Sequence, residues 1–410
     1  MALFGIKNHW WVLISFVLAI PLGYFFGEEL QFFEYIGTAF INLLKMIIVP
    51  LVTFSIINAI GRFEKSADLR RLGLKTMLFY MSTSLLAIVL GLTLINIIQP
   101  GVGVNLPMTD QEKYKLSIDG PRSLVDLLLK IIPENPIKAL AEMKMLNVIF
   151  FSILFGAALS QLKGEIRTTF LNFSEAVYEI MIIITGWVIK LVPIGIFGLI
   201  IKAFNQAEVE LFDAVVKYLL TVGAGLLIHL FITQPLILYI FTRKNPYQHF
   251  RRMSEAIVTV LATASSLATM PVTMKCVEEK AGVPRRITNF VIPLGATVNM
   301  DGGALFECAG ALFVAQVLGF DLTLTQQLMV VFTALLASIG AAGVPSGGIV
   351  VIFIVLESIG IRGATSDFIV GIMLAVDRPL DLIRGVVNIF GDSIGAVVIH
   401  ETEKKKIIEY

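Results

Sequence analysis

Residues 372–400 read IMLAVDRPLDLIRGVVNIFGDSIGAVVIH. The stretch is as apolar as a membrane span, yet it carries Asp377, Asp381, Arg384, Asn388 and Asp392. Counted from Asp377, the other four lie at +4, +7, +11 and +15. On a helix advancing ~100° per residue, all five fall within an arc of about 80°. Ile, Leu, Val, Phe and Gly fill the rest of the circumference. Ionisable side chains are costly in a bilayer, so this stripe must face a protein interior or a watery cavity. A plain ion pair of Asp381 with Arg384 at i,i+3 would only hold a helix bundle together, and it accounts for neither Asn388 nor Asp392.

The surroundings of this helix agree. The chain has 410 residues, of which 56% are hydrophobic and 15% charged. Its mean hydropathy is +0.84. Soluble chains carry about a quarter charged residues, so this composition implies a polytopic membrane protein. A net charge of +1 without a basic stripe gives no footing for a nucleic acid. His9, His229, His249 and His400 are scattered and no nucleophile–base pair stands out, which argues against an enzyme. Cys276 and Cys308 both sit in apolar surroundings, so neither a disulfide framework nor a cysteine metal site is expected.

Apolar runs long enough to span lie near 9–27, 34–61, 72–99, 143–161, 172–204 and 213–242. Segment 121–142 is partly helix-like, which predicts a fourth element broken into pieces. The first run reads as a helix rather than a signal peptide. Glu28, Glu29 and Glu34 follow the first run, and Arg62, Lys65, Arg70, Arg71 and Lys75 follow the second. Lys163 and Arg167 follow the fourth, Glu208, Glu210 and Asp213 the fifth, and Arg243, Lys244, Arg251 and Arg252 the sixth. This alternation places both termini in the cytoplasm. Residues 101–122, mixed in charge, read as a surface loop on the outer face.

After Arg252 two apolar segments are broken by small residues. AIVTVLATASSLATMPVTMKCVEE has Ser265, Ser266, Ala268, Thr269 and Pro271 at its centre. LMVVFTALLASIGAAGVPSGGIVVIFIVLES is broken at Ser338, Gly340, Gly343, Pro345, Gly347 and Gly348. Each half is too short to cross, and the charged flanks return each segment to the side it left. Both read as re-entrant hairpins, one from each side, followed by helices at 286–318 and 366–400. Tight helix packing through Gly and Ser is the alternative for either hairpin alone. Interrupted segments at corresponding places in two halves point to the binding site of an inverted-repeat transporter. The expected fold is all-α, with eight transmembrane helices plus two hairpins.

The helix at 286–318 is itself interrupted at Asn299-Met300-Asp301-Gly302-Gly303. Two glycines cost a helix about 2 kcal/mol relative to alanine. Unwinding there would expose carbonyl oxygens beside Asp301 and Asp392, the hard ligands of a small alkali cation. A helix-capping role for Asp301 remains the alternative.

SSLATMPVTMKCVEE, PLGATVNMDGGALFE, LLASIGAAGVPSGG and DLIRGVVNIFGDSIG follow one another in this chain. With YMSTS (80–84) and PENPIKALAEMKMLNVIFFSILFG, they resemble the dicarboxylate/amino acid:cation symporters, which include excitatory amino acid transporters. The resemblance covers nearly the whole chain. It implies a homotrimer in the cell membrane, with a scaffold from residues 1–71 and 121–212. It also implies a mobile transport domain from residues 72–120 and 213–410, sliding as an elevator. It further implies that Arg384 binds a substrate side-chain carboxylate, Asp381 the substrate ammonium, and Asn388 the α-carboxylate. Ser265, Ser266 and the 340–343 backbone, with Gly340, Ala341 and Gly343, would hold that carboxylate, and Gly303 and Gly385 line the same pocket. Three sodium sites are implied: Gly295, Asn299, Asn388 and Asp392; Thr297, Ser338 and Ile339; and Tyr80, Thr83, Ser84, Asn299 and Asp301. Glu307 resembles a membrane-embedded proton carrier, a role that suits a carboxyl group whose burial favours the neutral form.

The chain departs from the acidic amino-acid pattern at Gly303, Gly385 and Ala341, where threonine is usual. Ala264 and Leu382 stand where related chains carry an arginine. The lost hydroxyls imply a roomier pocket. The expected function is sodium-coupled symport of aspartate or glutamate, with C4-dicarboxylates and neutral amino acids as alternatives of the same fold. Arg378 lies near the polar stripe, where replacing the missing arginine is one role and snorkelling or pairing with a loop is the plainer expectation.

Overall fold

The computed structural model describes residues 8–26, 29–62, 67–104, 129, 131–206, 210–340 and 347–408. The described chain is helical from end to end, which is the fold class the composition implies. The described part of the first half comprises α1 (Asn8–Phe26), α2 (Phe32–Gly61), α3 (Ala67–Ile98), α4 (Pro136–Ala141), α5 (Met145–Gln161), α6 (Gly164–Lys190) and α7 (Val192–Gln206). The Asn135 side chain accepts from the backbone N–H groups of Ile137 and Lys138, and Pro136 opens α4, so this start is fixed by sequence. The rest of the 121–142 stretch, and most of the 101–122 loop, lie outside the described residues.

The single run expected at 172–204 is two helices, α6 and α7. Pro193 supplies the reason, because a proline cannot donate to the preceding turn and is tolerated only near a helix start. α1, α2, α5, α6 and α7 pack on one another. At the crossing of α2 with α7 the backbones touch: a β-carbon on Gly37 would lie 2.8 Å from Leu199 N. Such small-residue crossings are how membrane helices approach closely.

The second half begins with α8 (Glu210–Ile228), a π turn over His229–Thr233, and α9 (Gln234–Thr242). Then come α10 (Pro246–Arg252), α11 (Ser254–Thr263), α12 (Ser266–Glu279), α13 (Arg285–Val298) and α14 (Asp301–Val317). The chain closes with α15 (Leu324–Gly340), α16 (Gly347–Ser358) and α17 (Ala364–Ile408). These helices and α3 form the second packed group, in which α14 lies against α3, and α17 against α8, α9, α11, α12 and α13. Among the described residues five helices are long and apolar enough to span a membrane by themselves: Phe32–Gly61, Arg71–Ile98, Gly164–Lys190, Glu210–Thr242 and Ala364–Lys404.

The breaks are narrower than the sequence implies. In the first hairpin only Ala264 and Ser265 leave the helix, and Pro271 sits inside α12. Ala264 closes α11 with φ +53°, a left-handed conformation that a β-carbon disfavours. In the 286–318 element only Asn299 and Met300 are unwound, and Gly302 and Gly303 already belong to α14. Gly302 is held there because its N–H donates to Asn388 Oδ1 at 2.9 Å. In the second hairpin α15 continues through Ser338 to Gly340 and α16 starts at Gly347. Ala341 and Gly343 lie outside the described residues.

The two packed groups meet mainly through the second hairpin. α15 and α16 lie against α2 and α5, and α17 against α7. A β-carbon on Gly340 would come 2.9 Å from Val52 Cγ1, in the Gly61-proximal half of α2. Lys45 pairs with Asp367 at 2.5 Å across the same boundary. The first hairpin instead presents Val258 and Leu261 to the surroundings.

Candidate functional site

Asp381, Arg384 and Asn388 of the α17 stripe line a cavity of about 90 Å³. Its walls are the first hairpin's tip (Ala264, Ser265, Ser266), Met300, Gly303 and Glu307, Ser338, the start of α16 (Gly347, Gly348), and Asp381, Arg384, Gly385 and Asn388. α12 begins at this wall, so its unpaired N–H groups and positive dipole end lie beside the cavity. Ser265 caps that start, its Oγ accepting from Ala268 N at 3.2 Å.

Arg384 is buried in the wall. Its Nη2 donates to Asp377 Oδ1 and to Asp381 Oδ1, each at 2.8 Å. Its guanidinium lies 4.0 Å from the centre of the Phe306 ring, a cation–π contact. Gly348 makes room for it, since a β-carbon there would come 2.9 Å from the Phe306 ring. Arg384 Nη1 has no hydrogen-bond partner among the described residues. Asp377, whose role the sequence leaves open, is therefore the buried counter-ion of Arg384, while Asp381 is more accessible. Asp381 Oδ2 also accepts from Arg378 at 3.1 Å, so Arg378 pairs with the stripe rather than with a loop.

Deeper in the second group two carboxylates, Asp301 and Asp392, are almost fully buried. Neither has a lysine or arginine partner among the described ion pairs. Asp301 Oδ1 accepts from Thr83 at 3.1 Å and Ser84 at 2.7 Å. Asp392 Oδ1 accepts from Asn299 Nδ2 at 2.9 Å, and the same amide donates to Asn388 O at 3.0 Å. Asn299 Oδ1 is left without a partner among the described residues. A buried oxygen acceptor with nothing to accept, on an amide bonded to a buried carboxyl group, fits a desolvated monovalent cation.

The expected residues divide accordingly. Gly295 abuts Asp392 and Tyr80, its would-be β-carbon lying 2.7 Å from the tyrosine hydroxyl. The Tyr80 hydroxyl lies 3.2 Å from the Asp392 carbonyl and 3.3 Å from that of Val291, so it sits on the Asp392 side of the cluster. The Asn388 side chain turns to Gly302 N and Met300 Sδ, leaving its carbonyl toward Asn299. Thr297 and Ser338 hydroxyls donate to their own helices, at Leu294 O and Leu335 O. Ile339 is buried beside Ser338. Glu307 lines the cavity, is 2% exposed, and its Oε2 is unpartnered among the described residues.

A model of the sodium:dicarboxylate symporter family matches residues 9–402. The chain belongs to the sodium:dicarboxylate symporter family. Mouse excitatory amino acid transporter 3 is 33% identical over 465 residues, spanning 98% of this chain and 87% of that protein. Bovine neutral amino acid transporter B(0) is 36% identical over 402 residues, spanning 90% and 73%. A Caenorhabditis elegans excitatory amino acid transporter is 33% identical over 425 residues, spanning 92% and 82%. As a sodium:dicarboxylate symporter the chain is a multi-pass membrane transporter of a small molecule, coupled to sodium, and not an enzyme.

Two residues of this symporter's buried carboxylate cluster, His229 and Gln234, are not among the candidates from sequence. Asp301 Oδ2 is met by His229 Nε2 at 3.1 Å and Gln234 Nε2 at 3.3 Å. Five residues apart, they would diverge by ~140° on a regular helix. The π turn at His229–Thr233 inserts the residue that brings both onto one face. Its signal was Pro235, which cannot donate to the preceding turn.

Proposed function

We propose that this symporter carries an acidic amino acid, aspartate or glutamate, together with sodium. One observation carries the reading: Arg384 and Asp381 present a cation and a carboxylate side by side on one cavity wall. A ligand with an ammonium group and a distal carboxylate satisfies both by displacing their mutual bond. A guanidinium holds a carboxylate through two parallel N–H donors, which a C4-dicarboxylate would also exploit. Asp381 then discriminates, because it repels a ligand that lacks an ammonium group. The α-carboxylate goes to the first hairpin's tip, where the start of α12 offers free N–H groups.

Coupling follows from burial. Sodium entering between Asp301, Asp392 and Asn299 replaces water with fixed oxygen ligands and neutralises the carboxylates. The unwound Asn299–Met300 link connects these ligands to the cavity through Asn388, so each cargo raises the affinity for the other, typically by about 1–3 kcal/mol. Thr297, Ser338 and Ile339 supply a further sodium site in this scheme once the second hairpin closes.

The carrier works as an elevator within a homotrimer of the cell membrane, with both termini cytoplasmic. Residues 1–71 and 121–212 form its scaffold, and residues 72–120 and 213–410 its moving unit. In support, the second hairpin lies against the Gly61-proximal half of α2, followed by the basic Arg62, while the first hairpin stays uncovered. This arrangement suits a carrier whose cargo site has descended toward the cytoplasm.

Proteoliposomes under a sodium gradient test the reading by competition among aspartate, glutamate, succinate and serine. Aspartate or glutamate should compete and succinate should not. Binding of succinate alone overturns it, and uptake equally fast without sodium overturns the coupling. Glu307 carries the cotransported proton in this scheme. Glu307→Gln should flatten the pH dependence of uptake, and an unchanged profile removes Glu307 from that role.

A second reading, exchange of neutral amino acids, has one observation in its favour. Asp377 already balances Arg384, so a ligand without a second carboxylate leaves no uncompensated charge. Competition by serine as strong as that by glutamate would select it.

A further inference from the structure

Among the described residues Gly303, Gly347, Gly348 and Gly385 line the cavity, and Gly303 and Gly385 meet no backbone atom of another element. A β-carbon on Gly348 would collide with the Phe306 ring and the Arg384 guanidinium, and nearby Gly302 lies 2.8 Å from Arg384 Cα by the same measure, so both are packing glycines. Gly303 differs. Its would-be β-carbon meets only the mobile end of Glu307, Oε1 at 3.3 Å, and Met300 Cβ at 3.7 Å. At Gly385 it meets one side-chain methyl, Val260 Cγ2 at 3.0 Å. Both lie in ordinary helix, where glycine is less stable than alanine. The missing side chains therefore serve the cavity and not the fold.

Two residues with an unmet buried polar atom, Arg384 and Glu307, line the same cavity. Arg384 uses Nη2 for Asp377 and Asp381, and its Nη1 edge is unpartnered among the described residues. Glu307 Oε2 is unpartnered likewise. A ligand anchored through its ammonium group at Asp381 must reach past the Nη2 edge to satisfy Nη1. A side chain as short as aspartate's ends at the near edge. One with one or two further methylenes has the length to extend beyond that edge, along the wall that Gly303 and Gly385 leave open.

We infer that Gly303 and Gly385 set substrate length, selecting glutamate and its one-carbon-longer homologue 2-aminoadipate over aspartate. This rests on the acidic amino-acid reading above and sharpens it.

The test is sodium-driven uptake of labelled aspartate, glutamate and 2-aminoadipate by the reconstituted full chain. One methylene in a fitted pocket discriminates by about 10- to 200-fold. The KM for aspartate should thus exceed those of the two longer ligands by at least ~10-fold. Gly303→Ala and Gly385→Ala should each raise the ratio of KM for 2-aminoadipate to KM for aspartate by at least ~10-fold. A ratio is insensitive to how much protein folds. An aspartate KM equal to or below the others, or variants that shift all ligands in proportion, overturns the inference alone. Uptake of none of the three overturns the acidic reading and the inference with it.

Discussion

Arg384→Ala is expected to lower sodium-driven uptake of acidic amino acids by at least ~100-fold. Removing one partner of a buried ion pair costs about 3–5 kcal/mol, and each 1.4 kcal/mol is tenfold. Here the guanidinium meets two carboxylates and an aromatic face, so its loss also removes the cation that buried Asp377 meets. Arg384→Lys should recover little, because a point charge on a flexible stem cannot reproduce the planar fork or its stacking on Phe306. The double variant Arg384→Ala with Asp377→Asn separates folding from recognition. It removes both charges of the buried pair together, so sodium-dependent thermal stabilisation should return while acidic uptake stays absent. Uptake above a tenth of the parent rate in that double variant would remove Arg384 as the group that binds the ligand.

Asp301→Asn should weaken apparent sodium affinity on the order of 100-fold, with far less effect on amino-acid binding at saturating sodium. A charged side chain at the centre of a membrane helix costs about 2.5–3.5 kcal/mol, of which the four side chains around Asp301 relieve part and a bound cation the rest. The asparagine is nearly isosteric, so Thr83 and Ser84 can still donate to its oxygen. The measurement is the sodium concentration for half-maximal uptake. A shift of less than about threefold would place the ion elsewhere.

Much of this site could be read from sequence because the chemistry is conspicuous against an apolar background. Five polar residues on one face of α17, and the Asn299–Asp301 run, violate what a lipid-facing helix allows. Both belong to the cavity wall or the carboxylate cluster behind it. The exact breaks were less legible. Gly302 and Gly303 look like helix breakers, but packing against Arg384 and the bond to Asn388 hold Gly302 in α14. Pro271 looked like part of a tip, and it is accommodated within α12. The 172–204 run concealed a break at Pro193 because hydropathy is blind to a missing N–H. His229 and Gln234 were invisible as partners because their spacing suits no regular period. Asp377 stood in the stripe from the start, but only the position of Arg384 assigns it the counter-ion role.

The π turn has a further consequence for the helix that contains it. The part before it is phased so that Tyr218 stacks on Phe313 of α14. The part after it is phased for α17, where Gln234 donates to Val387 O at 3.0 Å and Lys244 just beyond pairs with Glu401 at 2.5 Å. A single surplus residue thus acts as a coupling joint, letting one rod mesh with two neighbours whose grooves run out of step. Excising that residue would turn everything beyond it by ~100° and draw it back ~1.5 Å, disengaging Asp301, α17 and the Glu401 contact in one stroke.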